Sequence, residues 1–269
     1  MLIDYMFFQQ NQISEIINFY NKNGFAVIRD VFKKNKISNI KNIISKNLDE
    51  NNKDFLYEVV NNKKILRRIE KVTDHFYSVK ALIYSKEIKK IFIKLKNNQV
   101  LFKDKLNFKF PNGNGFLPHL DGHFYWSKND SRKLKKGWKM YSKNFTNIAI
   151  HLEDSTKKNG CLYVANKNDT KKLGNTWESI TNKLSLNTPN IKKKDLKKFK
   201  FFPLEVSTGD IIIFDWKCCH YSNKNKSNKS RMILYLTYCD KNKKNMRKIY
   251  YEDRELSKTN INFKSCIYK

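Results

Sequence analysis

From Val100 onward the chain breaks into short apolar and aromatic runs, "VLFKDKLNFKF", "FTNIAIHLE", "GCLYVAN", "FFPLEVS", "DIIIFDW" and "RMILYLTY", separated by Asn, Gly and Lys turns. No other feature limits the fold as tightly. Short runs rich in β-branched and aromatic residues, bounded by turn signals, read as strands. Several of them in succession specify an all-β sandwich or barrel.

The front of the chain has a different period. Ile16, Ile17, Phe19 and Tyr20 recur with helical spacing, and Gly24 stands where a helix would stop. "FAVIRDVF" then reads as a strand, Ile37, Ile40, Ile44 and Leu48 make one apolar helical stripe, and "KEIKKIFIKLKNN" reads as a third helix. The expectation is one domain over residues 1–269: a mostly helical third at about 1–99, a β core at about 100–240, and an extension at 241–269. Residues 127–144 and the run near 165–200 read as polar surface connections.

A formal charge of +30 raises the question of a nucleic-acid partner. Almost all of it is Lys, scattered among abundant Asn, and no helix-turn-helix, zinc-finger or RNA-recognition pattern accompanies it, so a solvated basic surface is expected instead. Five cysteines, with Cys218 and Cys219 adjacent and no CxxC pair, fit no disulfide framework and suggest a reducing, cytoplasmic setting. No apolar run approaches the length of a membrane-spanning helix, and the opening "MLIDYMFFQQNQ" lacks the basic flank of a signal peptide.

The chemistry concentrates in "PHLDGHFYW". On a strand, His119 and Asp121 at i and i+2 project to one face and can grip one ion. His220, at the end of "DIIIFDWKCCH", is available as a third ligand. Two histidines and one carboxylate make the facial triad of non-haem Fe(II) oxygenases, which leaves positions open for a cosubstrate and oxygen. Arg231 opens the strand "RMILYLTY"; an inward guanidinium there wants a carboxylate, and its fork geometry favours a bidentate one. The distal carboxylate of 2-oxoglutarate meets that need.

These residues carry a resemblance. "HLD", "GDIIIFDWKCCHYS" and the Arg231 strand together resemble the phytanoyl-CoA dioxygenase family of Fe(II)/2-oxoglutarate oxygenases. "FYNKNGFAVIRDVF" is similar to the family's opening helix and strand, and "DSTKKNGCLYV" to its "NGCL" strand. The resemblance implies a mainly β fold with flanking helices around a double-stranded β-helix (jelly-roll, cupin-like) core. It implies iron on His119, Asp121 and His220, 2-oxoglutarate on Arg231, further cosubstrate contacts from Asn107 and Ser222, and a pocket wall at Phe116. The implied reaction consumes oxygen and 2-oxoglutarate, releases succinate and carbon dioxide, and hydroxylates a small-molecule substrate. Two departures stand out: "ANKN", Ala165 to Asn168, replaces the family's frequent "PGSH", and Leu120 stands where Gln is common. Asp121 occupies the position that a halogenase leaves open for chloride, which argues for hydroxylation.

Other candidates are read more plainly. His123 is taken as a surface residue and His151 as a core or pocket-wall histidine. Cys218 and Cys219 are taken as packing residues, since neighbours on a strand face opposite sides. Phe124, Tyr125 and Trp126 are expected to shape the substrate pocket, and the "SRKLKKGWK" run to be a solvated loop. Two other classes of function compete with the enzyme: a jelly-roll binding module with a vestigial metal site, and a basic nucleic-acid-associated protein.

Overall fold

A computed structural model describes residues 6–60, 63–95, 98–122, 137–171, 191 and 193–258. Its strands, numbered in chain order, are β1 (Phe7–Phe8), β2 (Phe25–Ile28), β3 (Phe55–Val60), β4 (Lys63–Glu70), β5 (Gln99–Lys109) and β6 (Phe116–His119), followed by β7 (Phe145–His151), β8 (Leu162–Ala165), β9 (Phe201–Leu204), β10 (Ile211–Asp215), β11 (His220–Ser222) and β12 (Arg231–Asp240). They form an eight-stranded sheet of order β1-β2-β10-β7-β12-β5-β4-β3 and a four-stranded sheet of order β6-β11-β8-β9. The two sheets make the jelly-roll core. Its interior is lined on one side by Ala149, Ile212, Phe214 and Ile233 of the large sheet and on the other by Leu162, Val164 and Leu204 of the small one.

Helices pack on the outer face of the large sheet. α1 (Ile13–Asn23) ends at Gly24, which adopts φ 87° and donates its N–H to the Tyr20 carbonyl. A side chain at Gly24 would collide with the Cys218 sulfur at 2.7 Å. α2 (Lys34–Lys46) buries Ile37, Ile40 and Ile44, each worth about 1.5–3 kcal/mol when fully removed from water. Leu48, the last of the expected stripe, lies beyond the helix and is 43% exposed. Then come α3 (Val72–His75), α4 (Tyr77–Ile83) and α5 (Lys86–Leu95), whose Ile88, Ile91, Phe92 and Leu95 are buried. None of the helices described is long and apolar enough to cross a membrane.

Three features differ from the sequence reading. Among the described residues the front third carries five helices, and it also supplies β1, β2 and the β3–β4 hairpin to the large sheet. The strand "KKILRRIE" hides from periodicity because Arg68 and Glu70 face a polar interior, so the expected alternation of apolar and polar positions fails. Within the expected extension, α6 (Met246–Lys258) joins the core: it buries Tyr250 and Tyr251 against Phe102, and its Arg254 reaches Glu70 of β4 at 2.8 Å. Part of the expected surface connection 127–144 is core, since Trp138 and Tyr141 are buried in that same aromatic cluster.

Candidate active site

Strand pairing builds the site. β11 runs antiparallel to β6, and His220 is the direct cross-strand partner of His119. That puts two imidazoles side by side, ring centroids 4.3 Å apart and planes at 55°. Asp121 sits just past the end of β6, on the turn that Gly122 closes with φ 71°. Its carboxylate oxygens lie 4.0 Å from His119 Nε2 and 3.7 Å from His220 Nε2. Leu120 points away into the apolar cluster of Ala165, Phe199 and Cys219.

The ring nitrogens that face away from this centre are already committed. His119 Nδ1 donates to the Leu117 carbonyl at 2.6 Å and His220 Nδ1 to the Cys218 carbonyl at 3.0 Å. A carbonyl only accepts, so each ring is the Nδ1–H tautomer and presents its Nε2 lone pair to the centre. Burial, and next the neighbouring His220, push the His119 imidazole down to about 3, so it is neutral at physiological pH. Burial alone would raise the Asp121 carboxyl, but His220, Lys105 and His119 hold it below its ordinary range and ionised. Asn147 Nδ2 donates to Asp121 Oδ2 at 3.0 Å, and Thr237 Oγ1 donates to Asn147 Oδ1 at 2.7 Å, which fixes the direction of that amide.

One ligand atom from each of His119, Asp121 and His220 lies within 4.8 Å of the others. Two imidazoles and a carboxylate, each oriented by a further hydrogen bond, are a donor set that fits ferrous iron. Asn147 is expected to matter through this centre alone. Asn147→Ala should weaken metal binding about 10–100-fold, the usual cost of losing an outer partner of a ligand. Calorimetric titration with Mn(II) checks it.

A second group of residues stands along the same interior. Arg231, the first residue of β12, is 1% exposed and pairs in register with Lys109 of β5. Both cations donate to the Gly160 carbonyl, and Lys109 Nζ also donates to Ser222 Oγ at 2.8 Å. Neither has a carboxylate partner among the described residues. Arg231 Nε and His151 Nε2 are buried with no hydrogen bond. Burial, and next the adjacent Arg231, push Lys109 down to about 5. The terminal carboxylate of a dicarboxylic acid fits this pair. Asn107 faces the same interior; its Oδ1 accepts from Arg68 Nε at 3.0 Å, while its Nδ2 has no partner among the described residues. Phe116 lies under the Arg67 guanidinium, 5.0 Å from it, and opposite Ser222.

The sequence reading missed Lys109, Asn147 and Gly160. Lys109 and Asn147 are polar residues at the inward positions of strands, and that parity is the signal that marks them. Gly160 adopts φ 78°, and a Cβ there would meet the Asn223 carbonyl at 2.3 Å and Lys109 Nζ at 2.9 Å. Cys218 and Cys219 are buried on opposite sides of the chain, in separate apolar clusters. His151 is fully buried, with Nδ1 on Ser155 Oγ at 3.0 Å. In the "ANKN" segment, Asn166 and Asn168 bond Asn23 and the Lys22 carbonyl at the end of α1. His123, Phe124, Tyr125, Trp126 and most of the "SRKLKKGWK" run lie outside the described residues.

The family model for "Phytanoyl-CoA dioxygenase (PhyH)" matches residues 20–233. The chain is 28% identical over 193 residues to 2-aminoethylphosphonate dioxygenase of the uncultured bacterium HF130_AEPn_1, covering 71% of this chain and 66% of that relative, just under two thirds of its length. It is 26% identical over 200 residues to dioxygenase lolE1 of Epichloe uncinata, covering 74% of this chain and 69% of that one. Its fold is similar to the epimerase SnoN solved with Fe3+, alpha-ketoglutarate and nogalamycin RO, with a TM-score of 0.63 at 12% identity over 86% of this chain and 84% of that one. With the family model spanning most of its length, this chain belongs to the phytanoyl-CoA dioxygenase (PhyH) family of Fe(II)/2-oxoglutarate-dependent oxygenases.

Proposed function

We propose that the chain is an Fe(II)- and 2-oxoglutarate-dependent dioxygenase that hydroxylates an unactivated C–H bond of a small-molecule metabolite, releasing succinate and carbon dioxide. One observation carries this reading: His119, Asp121 and His220 converge within 4.8 Å in the interior where the carboxylate-free pair Arg231 and Lys109 also faces. When bound, ferrous iron and 2-oxoglutarate supply the oxygen-activating chemistry.

The chain's own residues hold and orient. His119 and His220 offer lone pairs fixed by their carbonyl bonds, and Asp121 offers a negative charge aimed by Asn147. Arg231 and Lys109 take the distal carboxylate of the cosubstrate, with Ser222 and Asn107 beside it. Phe116 walls the pocket against water. Because the carboxylate ligand is retained, no ligand position is left for a halide, which favours hydroxylation over halogenation. The relative named for 2-aminoethylphosphonate acts on a small metabolite, consistent with a small-molecule substrate here.

Conversion of 2-oxoglutarate to succinate tests the reading. Turnover should vanish when the protein is treated with a strong chelator and return on adding Fe(II), but not on adding Zn(II). Absence of turnover under every metal condition would leave the fold as a binding module. Turnover insensitive to the chelator would remove the triad from the chemistry.

A further inference from the structure

The interior carries more positive charge than the cosubstrate pair accounts for. Inward positions of β5 and β4 turn Lys103, Lys105 and Arg68 toward the interior between the sheets, and each of the two lysines is close enough to Asp121 to act on its charge. Glu70, the carboxylate among them, is held by Arg254 at 2.8 Å and by Arg68 at 3.3 Å, so it balances about one of these charges. Lys103 donates to Tyr250 Oη at 3.0 Å, a neutral partner. Lys105 makes no hydrogen bond and no ion pair among the described residues. Its ammonium stands over the Tyr235 ring, 5.3 Å from the centroid, and the residue is half-buried. Tyr235 is its direct cross-strand partner, four residues along from the Arg231–Lys109 pair. At about 3.3 Å per residue that separates the two cation groups by roughly 13 Å of strand.

We propose that Lys105, flanked by Lys103 and Arg68, is the substrate's anchor, and that it takes a small molecule bearing a dianionic oxyanion head, a phosphonate or phosphate ester. The proposal rests on the dioxygenase reading for the role of the site, while the charge count is independent of it. Lys103, Lys105, Arg68 and Arg254 stand against two carboxylates, Glu70 and the triad's Asp121, which leaves a surplus that a singly charged carboxylate would not balance. Burial, followed by Arg68, pushes Lys105 down to about 7, and burial lowers Lys103 to about 8. A bound dianion restores both charges and is gripped by charge-assisted hydrogen bonds. Tyr235 forms an apolar floor beside the head, which leaves the carbon chain to extend toward the metal ligands.

The test uses ethylphosphonate as the probe, on protein loaded with Mn(II) and 2-oxoglutarate. Calorimetry should give saturable binding that excess 2-oxoglutarate does not displace, and the 31P resonance should broaden through proximity to Mn(II). Lys105→Met should weaken the probe at least tenfold, Lys105→Arg should restore most of that affinity, and propionate should bind at least tenfold more weakly than ethylphosphonate. Equal affinity in Lys105→Met, or propionate binding as tightly, would overturn the proposal. Loss of 2-oxoglutarate affinity in Lys105→Met would move the residue into the cosubstrate site and overturn it too. The same titration on metal-free protein separates the two readings. Failure of Mn(II) and 2-oxoglutarate to bind would sink the dioxygenase reading, whereas Lys105-dependent binding of ethylphosphonate would stand without it.

Discussion

Asp121→Ala will abolish succinate formation, cutting turnover at least about a thousandfold, since loss of a mere outer partner of a ligand already costs about 10–100-fold. The carboxylate is the negative member of the triad, and it lies between the two Nε2 atoms at 4.0 and 3.7 Å. Without it two imidazoles face an ion whose charge nothing in the triad offsets, and the Asn147 amide loses its acceptor. His119→Ala and His220→Ala should match it. Folding should survive, because Asp121 occupies a turn rather than a strand, and circular dichroism checks that. Near-normal succinate formation in Asp121→Ala would mean that the ligands are misassigned.

Arg231→Ala should act on the cosubstrate instead. Truncating one member of a buried charged pair costs about 2–5 kcal/mol, or about 30-fold to a few thousandfold in affinity. The apparent affinity for 2-oxoglutarate should therefore fall by that range, while Mn(II) binding measured without cosubstrate should change little. Lys109 alone cannot compensate: it is a point donor, already committed to Ser222 and the Asn223 carbonyl at 2.8 and 2.6 Å. Arg231→Lys should recover only part of the loss, since the fork geometry is gone. An unchanged affinity for 2-oxoglutarate would remove Arg231 from the site.

The fold was legible where one face of an element is apolar. α1, α2, α5 and strands β5, β7, β8, β9, β10 and β12 fall on the hydrophobic runs of the sequence, and Gly24 ends α1 as its position suggests. β6 and β11 do not stand out: the "DIIIFDW" strand stops at Asp215, and His220 opens a separate strand of the small sheet rather than closing that one. Legibility failed where an element faces the polar interior. β4 carries Arg68 and Glu70 inward, so its pattern looks like neither strand nor helix. α6 was hidden for a related reason, because Tyr250, Tyr251 and Arg254 become core residues only against Phe102 and Glu70, far away in the chain.

Residue chemistry and local spacing made His119, Asp121, His220 and Arg231 candidates, because a ligand pair at i and i+2 and an arginine opening an apolar strand are local features. What the order of residues could not supply is which distant side chains share a rung. The β6–β11 register makes His119 and His220 neighbours, the β5–β12 register sets Lys109 beside Arg231 and Lys105 beside Tyr235, and β7 brings Asn147 to Asp121. Strand pairing between segments far apart in the chain depends on the summed burial of the whole sheet, so those partners, and with them the surplus charge of the cavity, were decided only by the tertiary structure.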